Sequence, residues 1–301
     1  MPKPLPHPMR RSALTALLLA AATAAHAGPI SLGLDAGLNL LAFGDMTVGS
    51  SDVEGRVAVG GNASLSGYSI NTKTGAGALY GGTGLTVGGN LDFSNGSVWG
   101  GAIVGGHYTP SPSGTVMGGV LAGQGFAFAS ERQRLAALSA ALDALANTGS
   151  AVDQWDTLHF NAAGRQLAVF DIQAADVGRN LQVDGLADDA QLLINVHGSS
   201  VDFGNHGYTG FKAGQVLFNL PEATALVLNG GIDASLLALD ASVGAGWGRI
   251  NGQVVVNDWN SSVQVNDAPM PVAPPQRLPE PASLALAGLG LAAAALTRRR
   301  R

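Results

Sequence analysis

The chain has 301 residues, of which 46% are hydrophobic and only 12% charged, with 43 glycines and a formal net charge of −5. Enough apolar content is present for a core, and the abundance of Val, Leu and Ile excludes plain disorder, while the lack of a three-residue glycine period excludes collagen. With no cysteine, disulfides and thiol catalysis are excluded as well, and a turn-rich β architecture remains.

At the N-terminus, Lys3, Arg10 and Arg11 precede an apolar run over residues 13–25, and Ala25-His26-Ala27 places small residues where signal peptidase needs them. The pattern predicts a secretory signal over residues 1–27, cut between Ala27 and Gly28. The Arg10-Arg11 pair fits a twin-arginine export signal poorly in its surroundings.

Leu38, Leu40, Leu41 and Phe43 predict a first strand, expected to cap one end of the fold. Next comes the unit Asp52-Val-Glu-Gly-Arg-Val-Ala-Val-Gly-Gly61, which returns as Ser97-Val-Trp-Gly-Gly-Ala-Ile-Val-Gly-Gly106 and, more loosely, over residues 115–124. Leu85-Thr-Val-Gly-Gly-Asn90 repeats its second half. The Gly60 position recurs at Gly88, Gly105 and Gly123, after 28, 17 and 18 residues, the scale of stacked repeat units too small to fold singly. Val57, Val59 and Ile103 are expected to face inward, with glycines turning the corners at positive φ. These features predict an all-β-dominated chain built as a parallel β-helix. A polar loop is expected over residues 71–77, and Pro110 and Pro112 mark a connection between coils.

One amphipathic helix is predicted over about residues 130–146. Ser130 and Gln133 have capping-box spacing, and Leu135, Leu138, Leu142 and Leu145 share a face, so the helix is expected to lie along one flank. Strand signals resume at Leu167–Phe170, Leu192–Val196, Val216–Asn219, Leu226–Leu228, Leu236–Leu239 and Val254–Val256. The helix is thus inserted within one domain, residues 28–268, followed by a Pro-rich linker over 269–278.

The chain closes with Pro279-Glu280-Pro281, an apolar run over 282–296 and Arg298, Arg299, Arg300 and Arg301. As a helix the run is short for a span of about 30 Å, and the arginines would hold its end in the cytoplasm. This order resembles the PEP-CTERM sorting signal of Gram-negative bacteria, which implies recognition and cutting by an exosortase after transient anchoring in the inner membrane. A permanent tail anchor is the alternative. Seven of the 16 basic residues lie in the two end segments, which leaves nine against 21 acidic residues, and such a surface repels nucleic acid.

Asn39-Leu-Leu-Ala-Phe-Gly-Asp45, the Ser51–Asn62 block, Asn219-Leu-Pro-Glu-Ala223 and Ile250-Asn-Gly-Gln-Val254 together resemble the choice-of-anchor A family. The resemblance implies a β-helical adhesive domain and brings no established catalytic residue. Ala238-Leu239-Asp240 departs from the family's Ala-Pro-Asn.

Candidate chemistry is sparse. Asp45, Asp52 and Glu54 could hold calcium, although hydrogen bonding of turn amides is the simpler role. His107, His159, His197 and His206 lack ligand spacing. Asp171, Asp176, Asp184, Asp188, Asp189 and Asp202 could include a glycosidase pair, as in some β-helix enzymes, but surface turns explain them more simply. Ice binding would call for regular Thr-x-Thr rows, and only Thr72/Thr74 offers one. No cofactor, metal site or catalytic residue is assigned. The expectation is an exported, non-enzymatic cell-surface or extracellular-matrix adhesin whose partners, beyond signal peptidase and exosortase, are exopolysaccharide or surface glycan and protein. A secreted polysaccharide-active enzyme and a permanently anchored periplasmic protein are the alternatives.

Overall fold

The computed structural model describes residues 29–35, 37–73 and 82–271. The expected signal segment, most of the 71–77 loop, the linker beyond residue 271 and the sorting signal lie outside them. Among the described residues the chain is all-β apart from a helix at Phe128–Asp143, designated α1, and one helical turn at Ala174–Val177.

Nearly all pairing is parallel, and the longest ladder explains the sequence repeat. Register-matched inward residues run Phe170, Ile194, Phe218, Leu236, Val254, Leu40, Val57, Leu85, Ala102 and Val120, one per rung. All but the terminal Val120 are buried, so every rung finds its apolar partners on the rungs above and below. Bulk declines along the row. Successive rungs are 24 residues apart from Phe170 through Ile194 to Phe218 and 18 apart from Phe218 through Leu236 to Val254. Val57 and Val120 share this row, but Ile103 does not: Ala102 and Val104 point inward and Ile103 outward, because side chains alternate along a strand.

The order of rungs in space is not the order in the chain. Leu38–Ala42 was expected as an end cap; it lies instead mid-ladder, paired with Val254–Trp259 on one side and Arg56–Val59 on the other. From there rungs are added outward to Val120–Ala122, α1 runs back along the ladder, and strands from Leu167–Gln173 onward return to the starting rung. Six strands at the junction, Met46–Val53, Val254–Trp259, Ser235–Val243, Ala225–Ile232, Trp247–Asn251 and Gln264–Asn266, close a ring of parallel pairings, since the longer ones bend across two faces.

The helix lies along one flank of the ladder. Leu135 and Leu142 are buried against Val169, Leu193, Leu217, Leu237, Val255, Leu41 and Ala58, with Leu138 and Leu145 packed partly against the same cluster. The expected capping box is absent. Its helix begins two residues earlier, the N-cap is Ala127, and Ser130 Oγ donates to the Ala127 carbonyl at 3.0 Å. The helix is held instead by tertiary contacts: Arg132 lies 5.1 Å from the Phe43 ring centre and bonds Asp240 at 2.5 Å. Beneath its C-terminal half, Asp171, Asn195 and Asn219 stand in register; Asn219 Nδ2 donates to Asn195 Oδ1 and the Ser139 carbonyl, both at 3.0 Å, and Asn195 Nδ2 donates to Asp171 Oδ1 at 2.9 Å.

Two of the repeat glycines, Gly100 and Gly123, turn at positive φ as expected, 107° and 149°, but the paired ones do not. Gly60, Gly61, Gly88, Gly89, Gly105 and Gly106 all lack positive φ. They are needed because rungs meet backbone to backbone at this corner: a Cβ on Gly60 would strike the Phe43 carbonyl oxygen, on Gly88 that of Gly60, and on Gly105 that of Gly88. The following residue completes each corner. The Asp258 carboxylate accepts from Asp45 N at 2.8 Å, Asp45 from Asn62 N at 2.7 Å, Asn62 Oδ1 from Asn90 N at 3.0 Å and Asn90 Oδ1 from His107 N at 2.8 Å. This chain of side-chain acceptors satisfies amides that the turn would otherwise leave unpaired.

Candidate functional site

Three regions concentrate exposed polar or aromatic side chains. The first is a flat face. On the strands Met46–Val53, Ala63–Ile70, Leu91–Ser94 and Tyr108–Pro110, the outward residues Thr47, Ser64, Asp92 and Thr109 stand in register, with Ser66 and Ser94 forming a second row. Met46, Leu65, Leu91 and Phe93 between them are buried. Alternation therefore yields a surface of short side chains repeating every ~4.8 Å, the spacing of neighbouring strands.

A second region is a groove of about 750 Å³ at the Leu167–Gln173 end, lined in part by Asp153, Asp171, Asp176 and Arg179. Of the aspartates singled out from sequence, only Asp171 and Asp176 meet here. Each acid is already engaged: Asp153 with Arg179 at 2.5 Å, Asp171 with Asn195 and Asn147 at 2.9 Å each, and Asp176 with the Gln173 amide at 3.0 Å. The Asp153 hydrogen bond raises the Arg179 pKa further above its ordinary value. Asp184 pairs with His159 and Gln182, hydrogen bonds that hold its pKa below the usual carboxylate range. Asp188 is held low by the Lys212 ammonium, Asp189 accepts from Gln166, and Asp202 lies exposed on Ser200–Phe203.

Asp45 sits in the corner chain, away from Asp52 and Glu54. Asp52 accepts weakly from Thr72 and Gln264, and Glu54 accepts from the Asp267 amide at 2.8 Å and from Lys73 at 3.2 Å. Burial raises the Asp52 and Asp267 pKa values. Protein donors thus take the place a cation would need, and no cluster fit for a metal ion occurs among the described residues. His197 lies 3.8 Å from Asp143 and 3.6 Å from Glu222, far from His159 and its Asp184 partner in the fold's separate four-stranded sheet.

The third region was not foreseen. Trp247 is 55% exposed beside Arg249 and Gln264. Trp155, elsewhere in the fold, is 98% exposed at the hairpin joining Val152–Gln154 to Thr157–Asn161, whose Asp153 and Asp156 pair with Arg179 of the groove. The available signal was a tryptophan within turn-forming residues, Gly246-Trp-Gly248 and Trp155-Asp156, where a core residue is out of place.

Residues 31–267 match the family model described as "Putative Ice-binding-like adhesive domain". The chain belongs to that family. This replaces the choice-of-anchor A assignment. Residues 278–301 match the PEP-CTERM protein-sorting motif, which makes the chain an exosortase substrate by its signal and supports export to a cell-surface or extracellular location. No curated protein matches. Among solved structures, the DUF3494 domain of Shewanella frigidimarina ice-binding protein_1 is 15% identical, with a TM-score of 0.43 over 81% of this chain and 100% of that one. An ice-binding protein from an Antarctic Flavobacteriaceae bacterium is 11% identical, with a TM-score of 0.33 over 78% and 81% of the two chains.

Proposed function

We propose that the protein is a non-enzymatic adhesin of the cell surface or extracellular matrix, and that its parallel ladders are the faces of a β-helix used as a rigid contact surface. The observation that carries this reading is the register-locked face of Thr47, Ser64, Asp92 and Thr109 with Ser66 and Ser94. Many short donors and acceptors held by a buried row beneath lose little side-chain entropy on contact, so weak bonds sum over a large area. In this reading residues 1–27 direct export, with Ala25 and Ala27 set for cleavage before Gly28. Pro279, Glu280 and Pro281 with Arg298, Arg299, Arg300 and Arg301 mark the exosortase signal, and anchoring in the inner membrane is transient.

Replacing Ser64 and Ser66 together by Tyr leaves the inward face intact and roughens the outer one. The double variant is expected to be secreted normally yet washed from the cell surface and matrix by buffer that leaves the wild type in place. Equal retention would sink the reading. Intact mass of the surface protein separates processing from permanent anchoring, since the latter keeps Arg298–Arg301.

One observation favours a polysaccharide-active enzyme: the groove brings Asp153, Asp171 and Asp176 together with Arg179. Each carboxylate there serves as an internal acceptor, whereas such hydrolysis requires one carboxyl group free to hold a proton and deliver it to the leaving-group oxygen. Release of reducing ends from matrix polysaccharide, lost in Asp153→Asn or Asp176→Asn, would overturn the adhesin reading in favour of this one.

A further inference from the structure

We propose that the shallow depression around Trp247 and Arg249 is a binding site for a carboxylated polysaccharide, a chain bearing uronate sugars. Trp247 and Arg249 are two apart on Trp247–Asn251 and are both exposed, while Ile250 is buried beneath. Register places Asn229 and Gly231 beside them on one rung and Gln264 beside Arg249 on the next. Trp247, Arg249, Gly231 and Gln264, with Asn205, Gly230 and Gly248, line a space of about 430 Å³.

The floor is bare by construction. Gly230 and Gly248 adopt φ of 88° and 106°, and a Cβ on Gly248 would strike the Gly230 carbonyl oxygen. Two rungs are pressed together there, and the indole and guanidinium stand up from glycine backbone. Neither side chain is used by the fold. Arg249 makes no hydrogen bond or ion pair with any described residue, whereas Lys73, Arg132, Arg134, Arg179 and Lys212 are each paired with a carboxylate. Arg165, likewise without a side-chain bond to a described residue, sits on the exposed loop before Leu167–Gln173. In a chain this rich in acid, a guanidinium left unpaired beside an exposed tryptophan is a specific feature.

The ligand class follows from the two groups. An indole face accepts the C–H face of a pyranose ring, an apolar contact that an aliphatic side chain covers less well. A guanidinium fork grips a carboxylate with two parallel hydrogen bonds. The Asn205 and Gln264 amides can donate to or accept from ring hydroxyls. A neutral sugar would leave Arg249 idle. A peptide carboxylate would not match the planar indole platform. This site lies round the corner from the Thr47–Ser64 face, so it does not depend on that face being adhesive.

The test is calorimetric titration of the secreted chain with oligogalacturonate, with a neutral cello-oligosaccharide of equal length as control. Galacturonate is expected to bind more tightly than the control, and the preference should shrink towards about 0.5 M salt, where the Debye length is only a few ångström. Arg249→Gln is expected to weaken galacturonate binding about tenfold and abolish the preference, and Trp247→Ala to weaken both ligands. Gly231→Ala is a third probe, because its Cβ would sit 3.9 Å from Arg249 Cζ, an ordinary contact that spares the fold and raises the floor; it should weaken galacturonate several-fold at unchanged melting temperature. Equal binding of the two sugars, or galacturonate binding unmoved by Arg249→Gln and Trp247→Ala, overturns the proposal. The Ser64/Ser66 double variant should bind galacturonate as the wild type does, which keeps this result separate from the adhesion test.

Discussion

The side-chain amide of Asn39 donates to the carbonyl oxygen of Gly252 at 2.7 Å, across 213 residues of chain. Asn39 is fully buried, and its Oδ1 accepts from Gly55 N at 3.1 Å, so one side chain ties the opening rung to the second rung and to the closing one. Asn39→Ala leaves the Gly55 amide and the Gly252 carbonyl without that partner in a dry interior. We expect a loss of about 2–4 kcal/mol in chemical denaturation, from stranded polar groups rather than lost packing. Asn39→Asp keeps the shape but removes the donor and buries a charge, and should cost at least as much near neutral pH. A melting temperature unchanged in both would mean the two stacks are not joined here.

The corner glycines give a sharper contrast. At Gly88 an added methyl would meet the Gly60 carbonyl oxygen well inside van der Waals contact, while at Gly244, where φ is not positive, it would meet nothing within 4 Å. Gly88→Ala must therefore separate two rungs and should cost about 3 kcal/mol or more, at the upper end of overpacking effects. Gly244→Ala should be neutral or stabilise by up to about 1 kcal/mol, through the unfolded chain. Urea melts of the two variants decide the matter.

The sequence made these glycines visible as a recurrence but not their reason. Glycine is commonly chosen for positive φ or for close approach, and only the neighbouring rung distinguishes the two. The inward row was legible for the same cause that builds it, apolar residues at rung spacing, whereas the place of Leu38–Ala42 was not. Its partner strand Val254–Trp259 lies some two hundred residues away, and no local pattern encodes pairing at that distance. Leu135 and Leu142 announced the helix face, yet Ser130 misled, because tertiary contacts through Arg132 made a side-chain cap unnecessary. Trp247 and Arg249 were hidden in plain view. A two-residue spacing reads as one strand face, and only burial shows which face it is.

Asp267 carries a pH prediction. Burial, with a contribution from Glu54, raises its pKa above the ordinary 3.8 despite Lys73. A group that binds its proton more tightly when folded favours the fold at low pH and opposes it as pH rises from the unfolded value through the folded one. Asp267→Asn resembles the neutral acid permanently. It should melt higher than the wild type at neutral pH, and the gap should close as the pH falls below about 4. A gap that is constant with pH, or one that widens in acid, would contradict the assignment.

Trp155 and Asp156 occupy the two central positions of the hairpin turn with φ of 54° and 62°. Both angles belong to the region where a side chain is strained and where Asn-Gly is the favoured pair. The tryptophan is 98% exposed, so packing does not offset the strain. Asp156 alone has a partner, Arg179 at 3.5 Å, and the shorter Asp153–Arg179 bond already secures the hairpin. Trp155→Asn with Asp156→Gly should therefore stabilise the protein by about 1 kcal/mol or more, readable as a higher melting temperature. A fall instead would show that the indole packs onto something the fold requires, and the strained turn would then be structural rather than a stability sacrifice at an exposed tip.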